Sequence, residues 1–408
     1  MIAALIATSS APRWPLAYVL SWNECPICVP AYIFCPTAYC MRIDINSQQT
    51  PVAMRGLVYE QYATNDNFAD ILQIQDLPDP VPGPQDIILR VESAALNYDD
   101  IWGMRGKPLK VPLPHISGTD AAGTVVATGD MVTGLSVGDR VVSHGNLSCR
   151  VCRACTAGRE YDCPKRRVWG FQTGPLWGGY CELTRLPETN AVKVPDGVSL
   201  DEAAAASMTM MTSWHMLVGR ARIVPGQTVL IMGGSSGMGI FGIQIAKMYG
   251  CTVIATSAPA KLDRCLRLGA DFAVDHRRDG WHNEVRKIAS KISHGKKGYV
   301  DVIYEHIGGS HWGKELALLG YGGTLVTTGA TTGYNTVTDL RHVFFKGTNI
   351  LGSTQGTRAE LERGLYWMSK KKIKAVIDST YPLERAADAH SRMVGGSIFG
   401  KILLKPQM

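Results

Sequence analysis

The chain has 408 residues, of which 45% are hydrophobic and 19% charged, with a formal net charge of +7. Such a length supports two domains with real cores, and the composition excludes a disordered chain. No Lys/Arg run is dense enough for nucleic acid. The densest, Lys370, Lys371, Lys372 and Lys374, reads as an exposed helix end, so the charge describes a mildly basic surface that also suits an anionic small ligand. Eleven cysteines, odd in number and clustered, fit metal binding in a reducing compartment better than a disulfide framework, and point to a cytoplasmic protein.

Residues 1–53 do not match the rest. Residues 15–40 are apolar and rich in Cys, Pro and aromatics. A membrane span needs roughly 20 predominantly apolar residues, and Asn23, Glu24, Pro26, Pro30 and Pro36 interrupt this one. Met1–Ser9 lacks the basic start of a signal peptide. Cys25 and Cys28 would make half a metal site, but Cys35 and Cys40 are poorly spaced for the other half. The stretch reads as an extension outside the fold, as from a misplaced translation start. Met54 then opens a segment with the look of a domain start.

From there, short β-branched or alternating runs at Leu57–Gln61, Ile87–Val91, Gly123–Val126 and Asp139–Val142, separated by Gly/Pro turns, predict an irregular β-rich domain to about residue 200. Within it, Cys149, Cys152, Cys155 and Cys163 form C-x2-C-x2-C-x7-C. Four thiolates close a tetrahedral shell around Zn2+ and leave no position for substrate, which marks a structural site. An iron–sulfur centre and metal-free thiols are the alternatives. Arg150, Arg153 and Arg159 offset the negative charge of four thiolates.

The pattern then changes to alternating strands and helices. Apolar runs at Thr228–Met232, Thr252–Thr256, Phe272–Val274, Val300–Tyr304 and Thr324–Thr327 read as strands, with helices at Met238–Tyr249 and Lys261–Gly269. This is the pattern of βαβ units and a doubly wound parallel sheet. Helices at Glu360–Lys370 and Glu384–Arg392 and strands at Ala375–Asp378 and Lys401–Leu404 finish the chain.

Between the first of these strands and its helix stands Gly233-Gly234-Ser235-Ser236-Gly237-Met238-Gly239. Such a turn lets backbone approach a pyrophosphate at a helix N-terminus. The glycines alone are a weak signal, since Ser236 breaks a strict G-x-G-x-x-G, but the strand–turn–helix context makes it strong. An acidic residue at the end of the second strand would bind the ribose hydroxyls of NAD. The chain has Thr256-Ser257-Ala258 there, followed by Lys261 and Arg264, which favours the 2′-phosphate of NADPH over NADH. Cofactor contacts are expected from Gly234, Ser235, Ser236, Gly237, Met238, Gly239, Ser257, Lys261, Thr328 and Gly329.

These pieces in this order resemble the medium-chain dehydrogenase/reductase superfamily across about residues 54–406. "ALNYDDIW" (95–102), "PHISGTDAAG" (114–123), "VGDRVV" (137–142) and "GATTG" (329–333) look like its quinone oxidoreductase and acryloyl- or crotonyl-CoA reductase branch. "VWGFQTGPLWGGYCE" (168–182) and "YEHIGG" (304–309) are similar to the enoyl-CoA reductases. The resemblance implies an α/β protein with a GroES-like β-rich catalytic domain at 54–209 and 355–408, carrying a zinc lobe at 146–166. A Rossmann domain at 210–354 would be inserted in it, with the active site in the cleft between. It also implies a homodimer or homotetramer joined by Rossmann sheets, with Asn349–Gly352 as a candidate edge.

Alcohol dehydrogenases of this superfamily hold a second, catalytic zinc. The matching positions here read as Asp99 or Asp100, Thr119 and Met208, and Thr and Met are poor zinc ligands. His115 is a nearby substitute. Without such a Lewis acid, alcohol oxidation loses its main device, whereas hydride addition to an activated C=C bond needs donors to an enolate oxygen and a proton source. Candidate catalytic groups are Asn97, Tyr98, Asp100, Gln172 and His306. Carboxylating crotonyl-CoA reductases bind CO2 with Asn, Phe, Glu and His. Phe171 and His306 match, but Gln172 and Asp99 depart, so simple reduction is expected. A zinc alcohol dehydrogenase and a non-catalytic NADPH-binding protein are the alternatives.

Overall fold

A computed structural model describes residues 53–292 and 298–408. The expected extension at 1–53, with Cys25 and Cys28, lies outside the described residues up to residue 52. The chain begins with the β-hairpin of β1 (Ala53–Val58) and β2 (Gln73–Pro78), then β3 (Asp86–Ala95), α1 (Tyr98–Arg105), β4 (Asp120–Thr128) and β5 (Arg140–Ser143). The cysteine lobe follows, with β6 (Asn146–Leu147), α2 (Arg153–Thr156) and β7 (Arg167–Val168). Next come β8 (Leu183–Pro187), β9 (Ala191–Lys193) and α3 (Leu200–Trp214). A second series runs β10 (Thr228–Ile231), α4 (Gly237–Met248), β11 (Thr252–Ser257), α5 (Leu262–Leu268), β12 (Phe272–Asp275), α6 (Trp281–Ile292), β13 (Val300–Glu305), α7 (Trp312–Leu318), β14 (Leu319–Thr327), α8 (Leu340–Phe344) and β15 (Asn349–Gly352). The chain ends with α9 (Arg358–Ser369), β16 (Ile377–Pro382), α10 (Ala386–Val394) and β17 (Lys401–Lys405).

The second series builds a six-stranded parallel sheet in the order β12-β11-β10-β13-β14-β15. Alternation along β10 divides its side chains between two cores. Val229 and Ile231 join α4 on one face, while Leu230 and Met232 join α6 and α7 on the other. Helices thus cover both faces, as near-continuous apolar strands require. The order reverses at β10, and ligands of such sheets bind beyond the carboxyl ends of the strands at that point.

The other large sheet has the order β16-β17-β3-β4-β5-β9, with β8 also on β3, and is antiparallel except between β16 and β17. Its last two strands come from the chain's end. The α/β class, with one irregular β-rich sheet and one doubly wound parallel sheet, is the one the sequence led to.

Several elements went unforeseen, α3 the longest of them. Helix α3 packs against β3, β4 and β5 and also against α4 and α9. All but three of its 15 residues are buried, so it carries no polar face and no helical period to read. Its start is nonetheless encoded. Ser199 Oγ accepts the Glu202 N–H at 3.1 Å, and the Glu202 carboxylate accepts the Ser199 N–H at 2.9 Å, closing a capping box. No described helix is long and apolar enough to cross a membrane.

Candidate active site

The four cysteines converge. The hairpin of β6 and β7 closes the base of their lobe, and Cys152 sits at the N-cap of α2, one turn before Cys155. All four Sγ atoms lie within 4.8 Å of one another. The Cys152–Cys155 and Cys149–Cys163 pairs are each separated by 3.6 Å, well beyond the S–S bond length of about 2.05 Å. The backbone N–H groups of Val151 and Cys152 bring the Cys149 thiol down to about 6, so its thiolate form is favoured. Among the described residues, no other set of three or more His, Cys, Asp or Glu side chains is placed to share a metal.

The glycine turn forms the wall of a cavity of about 370 Å3. Ser236 caps α4, its Oγ accepting the Gly239 N–H at 2.9 Å. Gly239 has no room for a side chain, since a Cβ there would stand 2.2 Å from the Gly233 carbonyl oxygen. The C-terminal return closes the opposite wall, with Gly400 N–H donating to Ser235 O at 2.9 Å. Gly233, Ser235, Ser236, Gly237 and Met238 line the cavity, together with Lys261, His276, His306 and Lys401. Gly234 and Gly239 lie beneath it as packing for the turn, and Ser257 is fully buried outside the lining. No carboxylate is among the residues that line it. Burial and the Arg277 charge push the Lys261 ammonium below its usual value.

A second cavity of about 250 Å3 adjoins the first through Asn97, Tyr98, Met238 and His306. Asp99, Trp102, Phe171, Met208, Thr328, Gly329 and Gln355 complete much of its wall. Of the five candidate catalytic residues, three therefore meet at the cleft. Asn97 has both ends of its amide engaged: Oδ1 accepts from Lys401 Nζ at 2.6 Å and Nδ2 donates to Asp120 Oδ2 at 2.8 Å. Tyr98 stacks edge-on against Trp102, ring centres 5.8 Å apart. His306 packs over Gly233 with Nε2 3.3 Å from Ser236 Oγ, and burial lowers its pKa, keeping it neutral near pH 7.

The remaining two line neither cavity. Asp100, 1% exposed, accepts hydrogen bonds from Asn97 N–H (2.8 Å), Tyr180 OH (2.6 Å) and Gly118 N–H (3.3 Å). Gln172 turns its Oε1 back to the Val168 N–H at 2.9 Å. The positions weighed for a second zinc are also engaged elsewhere. Thr119 Oγ1 donates to Asp99 Oδ2 at 3.1 Å, and His115 is fully buried with its ring nitrogens 3.1 and 3.3 Å from the carbonyls of Pro112 and Gly170.

Sequence reasoning missed Lys401, Asp120 and Asp99 as a group. Lys401 Nζ reaches Leu96 O at 2.6 Å and Asp120 Oδ2 at 3.4 Å, and Asp120 Oδ1 accepts the Met208 N–H at 2.9 Å. Both ionic partners are at most 3% exposed. The pair joins residues 281 positions apart, and no local motif announces it.

Residues 83–196 match the family model for the alcohol dehydrogenase GroES-like domain, and residues 237–370 match that for the zinc-binding dehydrogenase. The chain is 29% identical over 348 residues to a crotonyl-CoA carboxylase/reductase of Cereibacter sphaeroides, covering 79% of this chain and 80% of that protein. It is 29% identical over 337 residues to an acryloyl-coenzyme A reductase of Sulfurisphaera tokodaii, covering 82% and 96%. A crystal structure of an NAD-dependent alcohol dehydrogenase superposes with a TM-score of 0.80 at 36% identity, over 86% of this chain and 99% of that one.

Proposed function

This chain belongs to the medium-chain dehydrogenase/reductase superfamily and is an oxidoreductase, and on that premise we propose that it reduces an activated C=C bond with NADPH, without a catalytic zinc. The acceptor is an enoyl thioester, an enal or enone, or a quinone. The observation that carries the reading is the cavity at the N-terminus of α4, with Lys261 and His276 among its lining and no carboxylate there. A ribose 2′-phosphate finds the Lys261 ammonium in that place, where NAD would need an acid.

The turn from Gly234 to Gly239 holds the pyrophosphate, Lys261 faces the adenosine end with the buried Ser257 behind the wall, and Thr328 and Gly329 face the nicotinamide end. When bound, the cofactor supplies a hydride. Tyr98 donates a hydrogen bond to the substrate oxygen on which negative charge grows, and the buried Lys401 cation, held through Asn97, adds a fixed positive field to the cleft. Asn97 acts by holding Lys401 and Asp120 in place. His306, neutral, forms the shared wall of the two cavities.

One structural Zn2+ belongs to Cys149, Cys152, Cys155 and Cys163. A tetrahedron with Zn–S bonds of about 2.3 Å has S–S edges of about 3.8 Å, and the 3.6 Å separations support that fit. The enzyme is proposed to be cytoplasmic and a homodimer or homotetramer. Support for the latter is the exposed edge strand β15, with Tyr321, Phe344, Phe345 and Ile350 exposed at or near that end of the sheet.

The test is a screen of NADPH oxidation against enoyl-CoAs, enals, quinones and aldehydes, with metal analysis of the same preparation. C=C reduction with about one zinc per chain is the expected result. Aldehyde and alcohol turnover with two zincs per chain would establish the alcohol dehydrogenase reading instead.

A further inference from the structure

We propose that Asp99 is the acid of this site, giving its carboxyl proton to the substrate α-carbon; the assignment rests on the reading of the chain as a C=C reductase. Three carboxyl groups, Asp99 and Asp100 on α1 and Asp120 on β4, share this buried region. Their hydrogen bonds distinguish them. Asp100 accepts from two backbone N–H groups and a tyrosine hydroxyl. Asp120 accepts from Asn97, the Met208 N–H and the Lys401 ammonium. Asp99 accepts from the Thr119 hydroxyl, while its Oδ1 is shielded from solvent and has no hydrogen-bond partner. Of the three, Asp99 also lines the second cavity, beside Tyr98, His306 and Thr328.

Charge leads to the same residue. Around Asp99 stand Asp100 on its own helix, Asp120 on β4, Lys401 on β17, and the neutral phenols of Tyr59 and Tyr180. One cation faces three carboxylates, and Asp120 lies against it. Burial raises both Asp99 and Asp100, Asp100 the further because the Asp99 charge stands beside it, so Asp100 keeps its proton more tightly and Asp99 is the one of the two that titrates at the cavity. Burial and the Asp120 charge raise the Asp99 carboxyl to about 6, near working pH, where a general acid is effective. His306, the imidazole of the wall, is kept neutral by burial and is a poor donor, and the Tyr98 hydroxyl is directed to the substrate oxygen.

The step balances. The hydride and its electron pair form the new bond at the β-carbon, and the π pair moves onto the α-carbon and its carbonyl. The Asp99 O–H bond breaks as the α-C–H bond forms. The carboxylate left behind takes a proton from solvent, so one NADPH and one proton are consumed per C=C bond, and NADP+ is released.

The experiment compares Asp99→Asn and Thr119→Val with the unaltered enzyme, using crotonyl-CoA, acrolein and a benzoquinone as acceptors. The unaltered enzyme should lose activity as pH rises through about 6. Asp99→Asn should bind NADPH within about threefold of normal, lose about 100-fold or more in turnover, and show no such limb. Thr119→Val removes the side-chain hydrogen bond favouring the Asp99 carboxylate, so its limb should move to higher pH. Infrared difference spectra across the same range should show a protonated carboxyl band that Asp99→Asn lacks. Near-normal turnover in Asp99→Asn, an unmoved limb in Thr119→Val, or a band that persists without Asp99 would overturn the assignment while the reductase reading stands. An unaltered enzyme silent on all three acceptors overturns both.

Discussion

The cysteine lobe and the acid cleft are both clusters of titratable side chains, yet they are assembled in opposite ways. The lobe takes all four groups from residues 149–163, with a two-residue hairpin as its frame. The cleft takes its carboxylates from α1 and β4 and its cation from β17, near the chain's end. Local assembly makes the lobe's chemistry independent of the rest of the fold. Long-range assembly makes the cleft's chemistry a product of that fold, so an error in packing becomes an error in charge.

The sharpest separation of the two comes from removing one member of each. Cys163→Ser, or treatment with a strong chelator, should reduce zinc from about one to near zero per chain. The apparent binding energy of structural zinc is on the order of 10 kcal/mol, so this should be the larger loss, read by metal analysis and by a fall in melting temperature. Limited proteolysis should then cut first within residues 146–168. Cleavage beginning in the parallel sheet would break the idea of an independent lobe.

Lys401→Met should come next, destabilising the protein by about 3–5 kcal/mol in urea at pH 7.5, because it strands a buried carboxylate. Burial already holds the Asp120 carboxyl above its ordinary range despite the Lys401 charge. A carboxyl raised in the folded state favours folding below its unfolded pKa, and that contribution fades as pH rises through the folded value. The Lys401→Met deficit should therefore shrink toward pH 5. Adding Asp120→Asn should recover part of it at pH 7.5, and strictly additive effects would show that the two residues are not coupled.

Gly239→Ala should cost about 1–3 kcal/mol through its contact with the Gly233 carbonyl and abolish the fluorescence change on NADPH binding. The smallest effect is expected from Lys261→Ala: about tenfold weaker NADPH binding, with NADH affinity unchanged. Equal losses for both nucleotides would place Lys261 away from the 2′-phosphate.

Legibility followed the same division. Every group of the lobe was visible as spacing, and the parallel strands were visible as apolar runs whose observed ends differ from expectation by a residue or so, apart from β14. That strand begins at Leu319, five residues earlier than expected, because the glycines of Leu319–Gly323 disguise it. In the cleft, sequence alone selected Asp100 over Asp99, and the reason for the opposite placement was present but unused. Asn97 precedes α1, and the third residue of a helix reaches back to the N–H of its cap. Asp100 is that residue, and its bond to Asn97 is the result. The Asp120–Lys401 pair had no such signature, because its partners meet only through strand order.

Strand β17 lies between β16 and β3, and this fixes when the molecule becomes competent during its synthesis. All six strands of the parallel sheet have been made once β15 leaves the ribosome, while part of the core on its α4 face is still to come. Helix α4 then has its cap, but the opposite wall of its cavity is still missing, and Asp120 has no counter-ion. Only the last eight residues supply the ammonium of Lys401. A chain cut before Lys401 therefore leaves Asp120 buried without its counter-charge.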